Sequence, residues 1–323
     1  MPSRRLLLTF IATAFSILPI VAAQAQSYPN RPIKLIAPFP AGGPTDVMAR
    51  LVAQRLSTTV GQVIVENRPG AGGTIAGKAV ATAEPDGYTI MLASSAALAI
   101  GPALYSNVGY DPLTSFAPVA MVSSVPYVMV VAKNTPFKTV GEFLAYAKAN
   151  PGKLNFGVPN GAPPHMLALM FHQQTGTNVV IVPYRGASNL ITDMIGGQIE
   201  AGFETTSVTF AHLREGALRA LAVLRDERLP ELPDVPTLKE GGISGVEGSS
   251  WTGIVAPAGT PPDILRRLRA EIVEGLKTAE FKERLARLGA EARFDTVEEF
   301  TAFIANEHAR IGAIIRAAGV KGE

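Results

Sequence analysis

The chain has 323 residues, 47% of them hydrophobic and 17% charged, with a formal net charge of +2 and no cysteine. That length and composition suit one large domain or two moderate ones with an ample core. The absence of cysteine excludes thiol and disulfide chemistry. Residues 1–25 read as a secretory signal peptide: Arg4 and Arg5, an apolar run from Leu6 to Val21, and Ala23-Gln24-Ala25 as a small-residue cleavage site. The run is short and broken by Pro19, which argues against a membrane anchor, and no cysteine follows it to carry a lipid. Removing the two leader arginines brings the 29 Lys and Arg level with the 27 Asp and Glu, so the nominal basicity does not mark a nucleic-acid or membrane surface.

Ile33 to Ala37 reads as a strand. A turn follows, Pro38 to Pro44, and then Val47, Met48, Leu51, Val52 and Leu56 recur at helical spacing. Gly42-Gly43 permits a tight backbone turn, and Pro44 suits the first helical position. The N–H groups of Gly42, Gly43, Thr45 and Asp46 would surround a helix N-terminus, either an ordinary strand-to-helix turn or a cradle for carboxylate or phosphate. Neither a Walker A loop nor G-x-G-x-x-G is present. A strand at 62–66, a second glycine loop at 70–73 and helical spacing from Thr74 to Ala83 follow. Tyr88 to Ala93 is a continuous apolar run, read as a buried parallel strand, and Ser94-Ser95 beyond it either cap a helix or donate to an anion.

Val119 to Val131 contains Pro126, which argues for two short strands or an edge, and the first crossing between domains is placed here. An amphipathic helix spans Thr139 to Ala149, and Leu154 to Val158 is a strand. Pro159-Asn160-Gly161-Ala162-Pro163-Pro164-His165 then leads into a helix from Met166 to Gln174, a third strand–loop–helix start. The strand Val179–Val182 runs into Pro183-Tyr184-Arg185-Gly186, and a helix from Asn189 to Ile195 follows. Ile199–Phe203 is a strand that ends at Glu204-Thr205-Thr206, before a short helix and the strand Arg219–Val223. Arg225 to Gly242 is a charged, proline-rich connection without periodicity, Ser249 to Ala256 is the return crossing, and the remainder is helical.

Six stretches in this order carry a resemblance: FPAGGPTDVMAR from Phe39, VENRPGAGG from Val65, PDGYT from Pro85, VPYRG from Val182, LPDVPT from Leu232 and APAGTP from Ala256. Together they resemble the Bug-type solute-binding proteins, the extracytoplasmic receptors of tripartite tricarboxylate transporters. The resemblance spans the chain after the leader. It implies an α/β, two-lobed periplasmic-binding-protein (Venus flytrap, type II) fold, with mostly parallel sheets flanked by helices. The lobes are expected at 28–128 plus 253–323 and at 129–252.

Alternating strands and helices imply a parallel sheet in each lobe, and ligands in such folds sit beyond the carboxyl ends of the strands. The expected ligand set is Phe39, Ala41, Gly42, Gly43, Thr45, Asp46, Ser94 and Ser95 from the first lobe. The second contributes Asn160, Gly161, His165, Tyr184, Gly186 and Glu204. Phe39, Tyr184 and Trp251 serve either as an apolar wall or as core, and Arg185 reads as a solvated face. Relatives carry more hydroxyl residues where this chain has Ala162-Pro163-Pro164, which favours a ligand with an apolar body. The resemblance implies a small organic carboxylate ligand and the membrane subunits of the transporter as partners, with no nucleic acid and no cofactor. A sensor that signals to a membrane kinase is the alternative with the same fold.

Catalysis is a weak competitor. G-x-S-x-G is absent, and Ser94, His165 and Asp46 form a hydrolytic triad only on paper. His165 and His172 are seven residues apart, roughly 10 Å along a helix axis, too far to share a metal ion, and H-E-x-x-H is missing.

Overall fold

The computed structural model describes residues 28–318 apart from 106 and 161. The leader read over residues 1–25 and the candidate ligand residue Gly161 therefore lie outside the described residues. The chain opens with β1 (Ile33–Ala37), α1 (Pro44–Thr59), β2 (Val63–Asn67), α2 (Thr74–Ala81) and β3 (Thr89–Ser94). A π-helical turn, Ala96–Ile100, runs into α3 (Gly101–Leu104) and then β4 (Phe116–Ala132). Next come α4 (Val140–Ala149), β5 (Asn155–Pro159), α5 (Pro163–Thr175), β6 (Val180–Tyr184), α6 (Ala187–Ile195), β7 (Ala201–Thr205), α7 (Thr206–Arg214) and β8 (Leu218–Val223). The chain closes with β9 (Ser249–Pro257), α8 (Pro262–Lys277), α9 (Ala279–Arg287), β10 (Glu291–Ala292) and α10 (Val297–Ala318).

The strands follow the order β2-β1-β3-β9-β4-β7-β5-β6, with β8 and β10 also paired to β4. β1 pairs in parallel with β2 and β3, and β5 in parallel with β6 and β7. The strands at the junction, β4 and β9, pair antiparallel with their neighbours. The parallel sets therefore lie toward the outside of each half, and the seam between the halves is antiparallel.

Pro126 does not split β4 into two strands. β4 is one 17-residue strand that changes partners. Phe116 to Pro126 pair with β9, while Tyr127 to Ala132 pair with β7 and β8. Proline is tolerated because it stands where one ladder ends and the next begins, so its missing N–H interrupts neither.

Each half buries both faces of its sheet. On one face of the first half, Leu35, Leu92 and Ile254 pack against Met48, Val52 and Leu56 of α1 and Leu268 and Ile272 of α8. The other face packs Met91 and Val255 against Val80 of α2 and Phe300 of α10. In the second half, Phe156 and Phe203 pack against Phe143 of α4 and Phe171 of α5. The opposite face buries Val128 and Val130 against Leu190, Ile191 and Met194 of α6. The connection from 224 to 248 is anchored rather than loose, with Leu229 buried on one face of the second half and Leu238 on the other. A smaller apolar cluster spans the halves: Met166 of α5 meets Ala99 and Ile100 of the π-helical turn and Ile311, Ile314 and Ile315 of α10.

Candidate functional site

The first loop is laced from within. Asp46 is 3% exposed and accepts from Gly42 N at 2.9 Å, Arg50 Nε at 2.9 Å and Asn67 Nδ2 at 2.9 Å. Asn67, at the end of β2, also donates to the Phe39 carbonyl at 3.0 Å. The Arg50 guanidinium, aided by the Gly42 N–H, holds the Asp46 carboxyl down at about 2, so it is ionised at neutral pH. Gly42 needs its freedom, because its φ of 85° is strained for any residue with a Cβ. Its N–H is already taken by Asp46, against the expectation that it stands open. The first turn of α1 still lacks intrahelical acceptors for its N–H groups. Gly43 caps this helix in extended conformation, with its carbonyl accepting from Val47 N at 3.0 Å. Thr45 and Phe39 are half-buried, and Ala41 is exposed.

Three loops of the first half meet at Gly73. A Cβ placed there would lie 3.1 Å from Pro38 Cβ and 3.3 Å from Ala97 Cβ, so the loops after β1 and β3 converge on a glycine of the loop before α2. At the carboxyl end of β3 the two serines differ. Ser95 is buried, makes no capping bond, and reaches Glu307 Oε1 at 3.4 Å. Ser94 Oγ is buried without a hydrogen-bond partner. The capping role weighed for the pair is therefore not the one they play.

In the second half the loops after β5 and β6 are joined by Asn160 N donating to the Tyr184 carbonyl at 2.8 Å. α5 starts at Pro163 with no side-chain cap, and His165 N donates to the Ala162 carbonyl at 3.0 Å. The His165 ring is half-buried, and burial lowers its pKa, favouring neutral imidazole. The Tyr184 hydroxyl donates to Asp193 Oδ2 of α6 at 2.8 Å, and burial with that bond pushes its pKa up to about 12. Its ring packs with the α6 side of the core. Gly186 caps α6 in extended backbone, with open space where a Cβ would stand.

Glu204, at the carboxyl end of β7, is 4% exposed. Its Oε1 accepts from the Thr205 N–H at 2.8 Å and from the Thr205 hydroxyl at 3.2 Å, while Oε2 is buried with no partner. Burial raises its pKa, and the Thr205 bonds only partly oppose this. Trp251 is core: it is 1% exposed and packed edge-on against Phe300 and Phe303. Arg185 is exposed, as expected of a solvated face.

A cleft of about 630 Å³ lies elsewhere, at the junction of the halves, lined among others by Ser124, Pro126, Arg225, Glu247, Ser249 and Arg310. None of the residues expected at the ligand site lines it. Glu307, which does, touches Ser95 on its other side. Sequence reading missed Asn67 and Glu307. Asn67 stood inside the V-E-N-R-P-G stretch but had no assigned role, and Glu307 is one of several acids on a long helix. Among the described residues no group of three or more His, Asp or Glu is placed to hold a metal ion. No described helix is long and apolar enough to cross a membrane.

Two lobes joined by antiparallel crossing strands, with the βα loops of each lobe gathered at the strands' carboxyl ends, define a periplasmic-binding-protein fold. The chain belongs to the tripartite tricarboxylate transporter family of receptors, whose family model matches residues 48–320. It is 39% identical to Protein BugT of Bordetella pertussis over 315 residues, 97% of this chain and 96% of the relative. A solved structure of Rpa4515 from R. palustris with adipate is 33% identical, with a TM-score of 0.76 over 91% of this chain and 99% of that one. MatC from Rhodopseudomonas palustris, solved with bound malate, is 30% identical, with a TM-score of 0.73 over 89% of this chain and 100% of that one.

Proposed function

We propose that this protein is a periplasmic receptor that binds a small organic carboxylate between its lobes and delivers it to the membrane subunits of a tripartite tricarboxylate-type transporter. The leader directs export and is removed, and the receptor performs no chemistry. One observation carries the site: two buried side-chain oxygens without partners, Ser94 Oγ and Glu204 Oε2, stand at the carboxyl ends of β3 and β7, one in each half of the sheet. Buried polar atoms are rarely left unpaired, and ligands of open α/β sheets bind at these strand ends.

The first turn of α1 supplies backbone N–H donors for one carboxylate without burying a full positive charge. Burial favours the neutral acid at Glu204, the form that meets a ligand oxygen without repulsion. Adipate and malate in the two solved relatives support an acid ligand here. The lobes are taken as 28–128 plus 253–323 and 129–252, which the change of partners along β4 at Pro126–Tyr127 supports. Closure is a hinge motion in which ligand selects the closed form.

A thermal-shift screen of the mature chain against carboxylates and neutral controls tests the reading. Ligand at a hundredfold over Kd adds roughly 2.7 kcal/mol. One acid that stabilises while its amide analogue does not is the expected result. No response to any acid overturns the ligand class.

A further inference from the structure

Glu307 lies in the middle of α10, is 8% exposed, and bonds in two directions. Its Oε1 accepts from Ser95 Oγ at 3.4 Å, on the loop that leaves β3. Its Oε2 pairs with Arg310 Nη2 at 3.0 Å. Arg310 in turn donates through Nη1 to the Glu247 carbonyl at 2.5 Å. Glu247 stands two residues before β9, where the chain returns from the second half to the first, and its neighbour Val246 is part of the second half's core. One carboxylate thus links a loop at the expected ligand site to the segment that joins the lobes. A second ionic contact runs beside it, where Arg225, just after β8, pairs with Glu291 of β10 at 3.0 Å.

We propose that Glu307 is a positioning residue that couples the Ser94–Ile100 loop to the lobe crossing through Arg310, so that the loop's position and the angle between the lobes change together. α10 is a fitting carrier. It is a 22-residue helix that packs through Ile311, Ile314 and Ile315 against the turn after Ser95 and against Met166 of the other half, so it is seated against both. A buried carboxylate held by a hydroxyl on one side and a guanidinium on the other is costly to leave half-bonded, so a shift at either end is passed to the other. The inference rests on the reading that the Ser94 loop belongs to the ligand site. The coupling itself is measured without ligand, so the two can fail separately.

Because the chain has no cysteine, spin labels can be placed on the exposed sites Ile75→Cys in the first half and Val180→Cys in the second. The test compares ligand-free wild type with Arg310→Ala, which removes only the end remote from the loop. Hydrogen exchange at residues 95–100 should rise severalfold, and the label-to-label distance distribution should broaden. In a Ser95→Ala background, Arg310→Ala should no longer change exchange in that loop, since the link is already cut. A lower thermal midpoint with unchanged loop exchange and unchanged label distance would mark a purely structural ion pair and overturn the proposal. So would an Arg310→Ala effect that persists in full without the Ser95 hydroxyl. Should Arg310→Ala fail to fold, Arg310→Lys keeps a charge beside Glu307 and gives up the reach to the Glu247 carbonyl. It is read by the same measurements, with the same outcomes for and against.

Discussion

The Asp46 carboxylate accepts the Gly42 N–H at 2.9 Å, so the glycine-rich turn is closed by an acid four residues further on, already inside α1. The same oxygen takes the Arg50 Nε, and the other oxygen takes Asn67 from β2. This ties strand, turn and helix into one unit and gives Asp46 a bracing role in the loop.

Asp46→Asn should therefore lower stability. The folded-state pKa of about 2 lies below the ordinary 3.8, so the charge contributes stability that is fully present above about 3.8 and lost as pH falls through about 2. With Arg50 largely in solvent, the contribution is roughly 1–2 kcal/mol after screening. Denaturant titrations of both proteins from pH 7 to pH 2 should show the gap closing toward acid. A variant that loses ligand affinity at unchanged stability would instead assign Asp46 to direct ligand contact.

Gly43→Val should fold and bind poorly. The backbone at Gly43 is extended, with φ −79° and ψ 168°, which valine adopts without strain, and a Cβ would meet only the Pro40 carbonyl at 3.6 Å. The cost falls on the space in front of the helix N-terminus, where the isopropyl group would stand between a carboxylate and its N–H donors. The circular-dichroism midpoint should hold while affinity for the acid found in the screen drops at least about tenfold, the loss of roughly 1.4 kcal/mol. Unchanged affinity would remove the cradle.

Much of this architecture was readable because glycine and proline punctuate the chain. Gly42, Gly43 and Pro44 mark the turn into α1, and the continuous apolar run from Tyr88 to Ala93 marks β3 as buried. What was not readable depends on partners distant in sequence. Pro126 looks like a strand breaker until β4 is seen to exchange β9 for β7 and β8 at that point. Tyr184 and Trp251 follow strand patterns equally suited to a ligand wall or a core. Asp193 claims the hydroxyl of the first, and Phe300 and Phe303 enclose the second. Glu307 carries no local signal, since its role comes from Ser95, 212 residues earlier.

The cluster around Met166 makes a core prediction with an inter-lobe character. Met166 is fully buried among Ala99, Ile100 and the isoleucines of α10. Truncation to alanine removes those contacts and leaves a cavity, which costs about 2–5 kcal/mol for a methionine so placed. Urea denaturation should show that loss for Met166→Ala, and Met166→Leu should recover most of it because its volume is similar. A cost under about 1 kcal/mol for the alanine variant would mean that the site collapses freely and that the junction is loosely packed.

Glu204 gives the opposite pH signature to Asp46. Burial lifts its pKa above the ordinary 4.5, so in the unfolded chain the group ionises first as pH rises. Stability is therefore lost as pH climbs from about 4.5 through the raised folded-state pKa, and the penalty is complete above it. Glu204→Gln keeps an oxygen for the Thr205 N–H and cannot ionise. Whatever constant offset the amide introduces, the variant should gain on wild type as pH rises from about 4.5 through the raised folded-state pKa, and the difference should be flat well below 4.5 and again above that pKa. Thermal midpoints of both proteins across that range decide the matter. A difference that does not vary with pH would mean that Glu204 ionises normally, through a cationic or water-bonded surrounding at Oε2. The ligand partner for that oxygen would then be a donor, such as an ammonium or hydroxyl group, instead of a carboxylate.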